Sequence, residues 1–515
     1  MSAKDRIYEQ RWLTLAVLSL SLVIIGLDNT ILNIAIPTLQ QTFQASASEL
    51  QWMVDSYILV FAGLLLTMGA LGDRFGRARA LTAGLIIFGA ASAFAAYADS
   101  ANALIVARGV MGIGGALMMP ATLSIIVDVF PKEERGKAIA IWAAVAGLGI
   151  GLGPLLGGVL LETFWWGSVF LVNIPIILGA LVLGRFLVPN SSDPDAPRTD
   201  IVGAGLSMAA VSAIVYSIIE APSLGWTSGQ VLAAFGIGVV ALAIFVWWEQ
   251  RVKNPIFDLA FFQSKRFTGG VLAITIAFFA LFGVVFLFTQ YMQFVKGYSP
   301  LEAGVRIAPI ALGMAIGSAR SHLAVRRFGT TRVVTVAMVA LGVVIASLST
   351  VTAGTSYVYL FFALVGMSMS MGFIMAPATD AVMGSIPVAK AGVGSATNDV
   401  TRQLGGALGV AIVGSAMNAR FSASMADAVV ALPQQAAEAA SNSVGAAISI
   451  ASQLPEPVGT ALAAAANEAF LQGFGAAAVV ATAVALVGAV AVAKLLPATE
   501  DQAPVPVLST SRTSD

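Results

Sequence analysis

Apolar runs long enough to cross a membrane recur along the chain, and they constrain its fold more than any other feature of the sequence. A helix of roughly 20 residues rises about 30 Å, which matches the hydrocarbon thickness of a bilayer. Within lipid, a helix satisfies its own backbone hydrogen bonds. Of the 515 residues, 58% are hydrophobic and only 10% are charged, as in multi-pass membrane proteins. We therefore predict an all-α membrane protein with 14 transmembrane helices, at residues 13–36, 51–71, 80–98, 102–127, 137–161, 167–188, 201–220, 229–248, 268–291, 303–320, 332–350, 357–377, 392–418 and 471–495.

The polar residues exclude several classes of function. Basic and acidic residues both number 27, so the charge balance gives no indication of a nucleic-acid partner. The chain has no Cys and one His, His322, which excludes thiol chemistry and a His cluster for metal. We expect His322 to be solvated in a basic loop. A Walker-type phosphate loop is also missing from the sequence. We predict no metal, no cofactor and no enzymatic activity, so energy for any transport must come from an ion gradient.

The basic residues predict the orientation of the chain. Segments rich in Lys and Arg stay in the cytoplasm, and most basic residues here fall in the tails and in alternate loops. An even number of spans places both termini on one side. We predict a multi-pass protein of the cytoplasmic membrane with both termini cytoplasmic. The basic residues outside the cytoplasmic segments are Arg108, Lys296, Arg306, Arg402 and Arg420.

A short repeat indicates two related halves. Arg74-Phe75-Gly76, with Arg79 beyond it, reappears as Arg327-Phe328-Gly329 with Arg332, each time after the second helix of a six-helix group. A chance echo is the alternative. We predict two six-helix pseudo-repeat bundles plus an inserted helix pair, an architecture expected of secondary transporters. The predicted segments are 1–188 (first bundle), 189–250 (linker and inserted helices 7 and 8), 251–418 (helices 9 to 13), 419–470 (an Ala-rich extracytoplasmic hairpin), 471–496 (helix 14) and 497–515 (a disordered cytoplasmic tail).

Three charged residues fall at one depth in the first bundle. Counting along the helices puts Asp28 roughly 22 Å from the inner face, and Asp55 and Arg108 roughly 8 Å from the outer face. Charges inside a membrane are expensive and usually serve a function. We expect the three to share a polar cavity and to load and release a proton there. A solvated position near the interface is the alternative for Asp55.

A further acid, Asp399, lies in predicted helix 13 with Arg402 three residues later. This spacing allows an ion pair within the helix. The pair either holds the helix in place or provides a second site for a proton or a cation. The sequence leaves both interpretations open.

Two glycine-containing motifs predict moving parts. In the loop after helix 2, the glycines permit a tight turn and Asp73 can pair with cations or helix ends to hold a cytoplasmic gate closed. In helix 5, small residues allow close helix packing and a proline favours a hinge. The residues of the first motif are Gly69, Asp73, Arg74, Gly76 and Arg77, and those of the second are Gly149, Gly153, Pro154, Gly157 and Gly158.

These motifs resemble those of the major facilitator superfamily, specifically its fourteen-helix drug/proton antiporter branch, which includes quaternary-ammonium exporters. The resemblance covers nearly the whole chain and is carried by Leu27–Pro37 in helix 1, the loop at 69–81, Arg108, the helix 5 segment 149–158 and Asn254–Leu259. The chain departs from the pattern at Met111, where Gln is usual, and at Arg326, which replaces the Asp of the first loop copy.

The resemblance implies proton-driven export of lipophilic, cationic compounds by alternating access. It implies that Asp28 and Arg108 couple the proton, and by analogy Asp55 and Asp399 attract a positively charged substrate. Aromatic residues suit flat lipophilic cations, and the candidates for the cavity wall are Trp52, Tyr57, Trp142, Phe286 and Tyr291.

The remaining expectations concern partners and alternatives. We expect a monomer in contact with membrane lipid, protons and a small-molecule substrate. The hairpin at 419–470 is either a passive cover, a lid, or a contact for an envelope protein. Export of an endogenous metabolite, lipid or peptide is the alternative function, and a non-transporting membrane sensor or scaffold is a more distant one.

Overall fold

Long helices form nearly all of the chain, as its apolar runs require. The computed structural model describes residues 3–43, 45, 47–192, 200–253 and 255–496, and within these ranges it has no β-strand. The α-helices in chain order are α1 (Ala3–Phe43), α2 (Ala47–Phe75), α3 (Arg77–Ala96), α4 (Ala101–Val129), α5 (Lys132–Thr163), α6 (Ser168–Leu171), α7 (Asn173–Leu187), α8 (Ile201–Leu224), α9 (Gly229–Glu249), α10 (Lys265–Gln290), α11 (Pro300–Ile307), α12 (Pro309–Phe328), α13 (Thr330–Leu348), α14 (Tyr357–Gly384), α15 (Ala391–Met425), α16 (Gln434–Asn442), α17 (Val444–Ala451) and α18 (Val458–Leu495).

Twelve helical segments within the described residues are long and apolar enough to span a membrane. The all-α membrane architecture predicted from the sequence is therefore confirmed, and the chain is a multi-pass membrane protein. Helices α5 and α12 are 32 and 20 residues long but are not among the twelve. The count of 14 spans stays a prediction.

Helix packing follows the same pattern in the two parts of the chain. In the first part, α1 packs against α5, and α4 packs against both α2 and α3. In the second part, α10 packs against α15, and α14 packs against both α12 and α13. We refer to α1 to α7 as the first helix set and to α10 to α15 with α18 as the second helix set. The two sets meet where α5 contacts α12 and where α2 contacts α15. Helix α8 lies against α9, α2 and α15, so it touches both sets.

The repeated Arg-Phe-Gly triplet forms the same tight turn twice. Gly76 separates α2 from α3 with φ 113°, and Gly329 separates α12 from α13 with φ 82°. Positive φ is readily adopted only by glycine, which explains the residue at both turns. The turn after α2 is a single residue rather than the longer loop predicted, because the helix continues through Asp73 to Phe75.

Gly69 lies inside α2 and permits a close helix contact instead of a turn. A Cβ atom at this position would lie 2.5 Å from the carbonyl oxygen of Gly392 on α15, a backbone atom that cannot move aside easily. The two backbones therefore approach each other at paired glycines, as small residues allow in membrane helices. This contact is one of those by which α2 packs against α15.

Several predicted boundaries differ from the structure because helices extend beyond their apolar cores. Helix α15 continues to Met425 and α18 begins at Val458, so the hairpin predicted at 419–470 is shorter and holds α16 and α17. Helix α12 continues to Phe328, which places His322 in a helix, partly buried, instead of a solvated loop. The tail predicted at 497–515 and most of the linker at 189–200 lie outside the described residues.

Candidate functional site

Asp28 and Arg108 form an ion pair in the interior of the first helix set. Asp28 on α1 is 0% exposed and Arg108 on α4 is 1% exposed, and Arg108 Nη1 contacts Asp28 Oδ2. Arg108 Nε also donates a hydrogen bond to the carbonyl oxygen of Met53 at 3.1 Å. The guanidinium lies 4.6 Å from the centre of the Tyr57 ring. Each partner compensates a charge that would otherwise be buried alone at a large cost in free energy.

Asn173 is a third member of this site and was not predicted from the sequence. It is the first residue of α7, is fully buried, and donates from Nδ2 to Asp28 Oδ1 at 3.4 Å. Nδ2 also lies 3.1 Å from Ser92 Oγ on α3, and the Ser92 hydroxyl donates to the carbonyl oxygen of Phe170 at 2.9 Å. The available signal was that Asn173 is the only amide in the apolar run 168–187.

The surroundings of Asp28 differ from the shared polar cavity that we predicted. Asp28 and Arg108 meet, but both are enclosed by protein. Asp55 on α2 is partly exposed, and it lies about 200° around the helix from Met53, whereas Met53 and Tyr57 share the face toward Arg108. Counting residues placed Asp28 and Arg108 at one level, in agreement with their contact, but did not give the direction of each side chain around its helix.

The second pair of charges, Asp399 and Arg402, lies one helical turn apart on α15. Their closest atoms, Oδ1 and Nη1, are 3.5 Å apart, and both residues are buried. Asn398 Nδ2 lies 3.5 Å from Asp399 Oδ1, and Asn398 Oδ1 accepts a hydrogen bond from Thr379 at 3.1 Å. Within the described chain, Asp399 Oδ2 and Arg402 Nε and Nη2 have no hydrogen-bond partner. The pair therefore retains hydrogen-bonding capacity that the protein does not use.

Aromatic rings from both helix sets enclose Arg402. Its guanidinium lies 4.6 Å from the ring centre of Trp142 on α5 and 5.5 Å from that of Phe278 on α10. Trp142 is fully buried and donates from Nε1 to Thr122 Oγ1 at 3.2 Å. Cation–π contacts of this kind stabilise a positive charge away from water. The second pair thus lies on the boundary between the two helix sets.

The other three aromatic candidates lie away from both ion pairs. Trp52 stacks on Tyr216 of α8 with ring centres 6.0 Å apart. The Phe286 side chain is exposed on the outside of the helices, and Tyr291 is buried with its hydroxyl donating to the carbonyl oxygen of Thr352 at 2.7 Å. The five aromatic residues therefore do not line one common cavity. Tyr57 and Trp142 instead contact Arg108 and Arg402, respectively.

Asp73 joins the ends of α2 and α15. Its carboxylate accepts hydrogen bonds from the backbone N–H groups of Gly392, at 2.8 and 2.9 Å, and Val393, at 3.2 Å, in the first turn of α15. The N-terminus of a helix favours an anion at such a position. Arg77 donates to Asp73 Oδ1 at 2.9 Å and to the carbonyl oxygen of Val388 at 2.5 Å. Asp73 and Arg77 together bind one helix set to the other.

Arg74 is oriented differently from these two residues. It is partly exposed, with its guanidinium 5.0 Å from the ring centre of Phe75. The five residues of the first glycine motif therefore divide into a turn at Gly76, a close packing contact at Gly69, a buried pair at Asp73 and Arg77, and a peripheral cation at Arg74.

The glycines of α5 pack against the helix that carries Asp28. Gly149, Gly153 and Gly157 recur every four residues, so they share one face of α5. Gly158 is also buried, and the side chain of Pro154 lies outside the described part of the chain. A Cβ atom would lie 3.2 Å from the carbonyl oxygen of Val23 at Gly149, 3.0 Å from that of Leu27 at Gly153 and 3.3 Å from that of Ile31 at Gly157.

An acidic side chain at the end of α9 is buried. Glu249, at the end of α9, accepts a hydrogen bond from the backbone N–H of Phe257 at 3.1 Å. Asp258, from the sequence Asn254–Leu259, accepts one from Ala260 N at 3.0 Å, whereas Asn254 lies outside the described residues. These contacts organise the chain between α9 and α10. Among the described residues, no three acidic or His side chains converge as metal ligands.

Comparison with known proteins gives a match to one family. Residues 18–410 match the Major Facilitator Superfamily. The chain is 37% identical to the multidrug efflux pump LfrA of Mycolicibacterium smegmatis over 482 residues, which cover 93% of this chain and 95% of that protein. It is 35% identical to the methyl viologen resistance protein SmvA of Salmonella typhimurium, over 90% of this chain and 93% of that protein.

The fold also resembles that of a solved transporter. The structure of the proton:xylose symporter XylE bound to 6-bromo-6-deoxy-D-glucose covers 96% of this chain and 98% of its own, with a TM-score of 0.64. Sequence identity over that alignment is 14%, so the likeness concerns the fold alone.

Proposed function

Because the chain belongs to the Major Facilitator Superfamily, we propose that it is a proton-coupled antiporter that exports lipophilic, cationic compounds by alternating access. Membership of this family makes it a transporter rather than an enzyme. The proposal of drug export is supported by relatives named for multidrug efflux and for methyl viologen resistance. Proton coupling rests on the buried pair of Asp28 and Arg108, and the positive charge of the substrate rests on the resemblance to quaternary-ammonium exporters.

The proposed topology has fourteen spans with both termini in the cytoplasm. Helices α5 and α12 complete the set, since each packs beside helices that are long and apolar enough to cross the bilayer. The first bundle comprises α1 to α7, and the second comprises α10 to α15 together with α18. Helices α8 and α9 form the inserted pair. The matching packing of α1 with α5 and α10 with α15 supports this division.

The buried Asp28–Arg108 pair is the observation that carries proton coupling. A carboxylate can exchange its contact with a guanidinium for a bond to a proton, and it then loses its negative charge. In a buried site, such a change in charge alters the stability of the surrounding packing by several kcal/mol. Protonation of Asp28 from the outside would release Arg108 and favour a different arrangement of α1 and α4. Substrate release accompanies this step.

The Asp399–Arg402 pair is the proposed site for a positively charged substrate. Asp399 Oδ2 has no partner among the described residues and lies on the boundary that opens in alternating access. A substrate cation can replace Arg402 as the positive charge beside Asp399, and it can stack on the ring of Trp142. Asp55 is more exposed than Asp399, and its proposed role is to raise the local concentration of cations.

The contact of Asp73 with α15 is the proposed cytoplasmic gate. It joins the two helix sets through charge-assisted hydrogen bonds, which are individually strong but break cooperatively when the helices separate. The close approach of Gly69 to Gly392 adds a packing contact that exists only while the gate is closed. We assign the α5 glycines to the sliding contact with α1, through which protonation at Asp28 reaches the bundle boundary.

The test uses purified protein in proteoliposomes with an imposed pH gradient and ethidium as a lipophilic cation. The native chain should move ethidium against its concentration gradient when protons flow the other way. Asp28→Asn should abolish this pH-driven transport because the amide cannot take up the proton. The matched control is Asp427→Asn, which changes an exposed acid between α15 and α16 and should leave transport as in the native chain.

Two results would refute the proposal. Transport by Asp28→Asn at the native rate would show that Asp28 does not couple the proton. Ethidium movement that is unchanged when the pH gradient is dissipated would show that the protein is not driven by protons at all.

A further inference from the structure

Asn173 occupies a position from which it can respond to the charge of Asp28. It begins α7 immediately after the short α6, so it lies where this helical segment is interrupted at Val172. Its Nδ2 faces both Asp28 Oδ1 and Ser92 Oγ, whereas its own Oδ1 is buried without a hydrogen-bond partner among the described residues. An unpartnered acceptor in a protein interior is costly and calls for a physical reason.

The groups around Asp28 differ in what they can offer to it. Arg108 from α4 can only donate hydrogen bonds, and Tyr57 from α2 presents a buried hydroxyl without a partner among the described residues. Helix α5 presents the backbone of Gly149 and Gly153 toward α1 and brings no charge. Asn173, from α7, carries both a donor and a strong acceptor on one amide group.

We propose that Asn173 is a positioning residue that distinguishes the two protonation states of Asp28 by rotating its amide group. While Asp28 is ionised, it can only accept, and Asn173 Nδ2 donates to it. Once Asp28 is protonated, its hydroxyl is a donor and needs an acceptor. A half-turn about the Cβ–Cγ bond of Asn173 brings Oδ1 to this hydroxyl, so the atom that lacked a partner obtains one. This inference rests on the proposed function, in which Asp28 takes up the coupling proton.

The rotation would carry the signal beyond Asp28. It removes Nδ2 from Ser92 Oγ, whose hydroxyl holds the carbonyl oxygen of Phe170 in α6. Protonation on α1 would therefore change hydrogen bonds on α3 and at the junction of α6 and α7. None of these contacts belongs to the gate or to the proposed substrate site, so Asn173 should affect proton affinity without affecting substrate affinity.

The first experiment measures ethidium transport in proteoliposomes as a function of the external proton concentration for Asn173→Leu. Leucine has a similar volume but provides neither the donor for the ionised carboxylate nor the acceptor for the protonated carboxyl. The donor is lost at little cost, because its bond is 3.4 Å long and the ionised carboxylate keeps Arg108. Loss of the acceptor therefore dominates, and half-maximal transport should require about tenfold more protons. The KM for ethidium at saturating proton concentration should stay as in the native chain. Asn173→Ser, which restores a donor and an acceptor, should recover most of the shift.

Ser92→Ala provides an independent variant with the opposite expectation. It removes the second acceptor of Asn173 Nδ2, which makes the rotation easier and favours the protonated state. Half-maximal transport should then require about threefold fewer protons. The control is Asn467→Leu on α18, a remote amide whose Oδ1 also lacks a partner in the described chain, and it should leave the profile unchanged.

The outcomes separate this inference from the proposed function. If Asp28→Asn still transports at the native rate, the proposed function itself fails. If Asp28→Asn is inactive while Asn173→Leu keeps the native pH profile, the role of Asn173 is refuted. A shift of Ser92→Ala in the same direction as Asn173→Leu, or a change in KM alone, would make Asn173 a packing residue.

Discussion

The two buried ion pairs of this protein have the same chemical groups but opposite surroundings. Asp28 and Arg108 come from two helices of the first set, and their partners are Asn173 and a backbone carbonyl of the same set. Asp399 and Arg402 come from one turn of α15 and face an aromatic ring of the other set. The guanidinium of Arg402 keeps two nitrogens without hydrogen bonds among the described residues.

This difference supports the proposal that the two pairs have different roles. A pair that is enclosed within one bundle can change its charge without contacting a bulky ligand, which suits a proton. A pair at the boundary between bundles is reached when the bundles move apart, and the unpartnered Oδ2 of Asp399 can then bind an incoming cation. The second pair is the less satisfied of the two, so the protein has less to lose there when a substrate replaces a contact.

The largest effect is expected when each pair loses its arginine. Arg108→Ala leaves Asp28 buried without a cation and should lower the free energy of unfolding by about 3–5 kcal/mol. Arg402→Ala should lower the free energy of unfolding by less than half as much, because Nε and Nη2 of that guanidinium have no hydrogen-bond partner in the described chain. Thermal unfolding in detergent measures both, with the exposed Arg420→Ala as control. Equal losses of unfolding free energy for Arg108→Ala and Arg402→Ala would contradict the statement that the second pair is the less satisfied one.

The next effect concerns access to the pairs. Asp73→Asn weakens the hydrogen bonds to α15 by about 2 kcal/mol in total and should open the cytoplasmic boundary more often. The natural chain has no cysteine, so single cysteines can be introduced directly. A cysteine at Thr397, near Asp399, should react faster with a water-soluble thiol reagent in the Asp73→Asn background. A cysteine at Leu27, beside Asp28, should not, and equal acceleration at both positions would contradict the comparison.

A smaller effect separates the pairs by substrate. Asp399→Asn should raise the KM for ethidium, the cation used in the transport test, about tenfold, since the variant loses attraction for positive charge. The external proton concentration for half-maximal transport should remain as in the native chain. Transport measurements at several pH values test both statements. A shift of the pH profile with an unchanged KM would instead place proton binding at Asp399.

The smallest effect tests the support of the second pair. Thr379→Val removes the hydrogen bond to Asn398 and should lower the free energy of unfolding by about 1 kcal/mol. Because the pair itself remains, transport of ethidium should be unchanged. Detergent unfolding and proteoliposome transport provide the two measurements. A strong loss of transport would show that Asn398 must be held in place for the second pair to work.

Most helices could be predicted from the sequence, but the direction of each charged side chain around its helix could not. The apolar runs predicted where helices cross, and the rise per residue placed Asp28 level with Arg108, which the structure brings into contact. The same count grouped Asp55 with them, although it lies on another face of α2. The role of Asn173 could not be predicted, because a single amide in an apolar run forms no periodic pattern. The ends of α12 and α15 were missed because their polar residues remain helical.

What the sequence determined by itself is the all-helical membrane class and the position of most helices. Transfer of a segment from water to lipid depends on its own side chains, so a window of residues contains the necessary information. Tertiary structure alone decided which distant groups meet. Asp28 contacts an arginine 80 positions away, and Asp73 contacts a helix end 319 positions away. Such contacts depend on the rotation of each helix about its axis, which is set by packing against all of its neighbours at once.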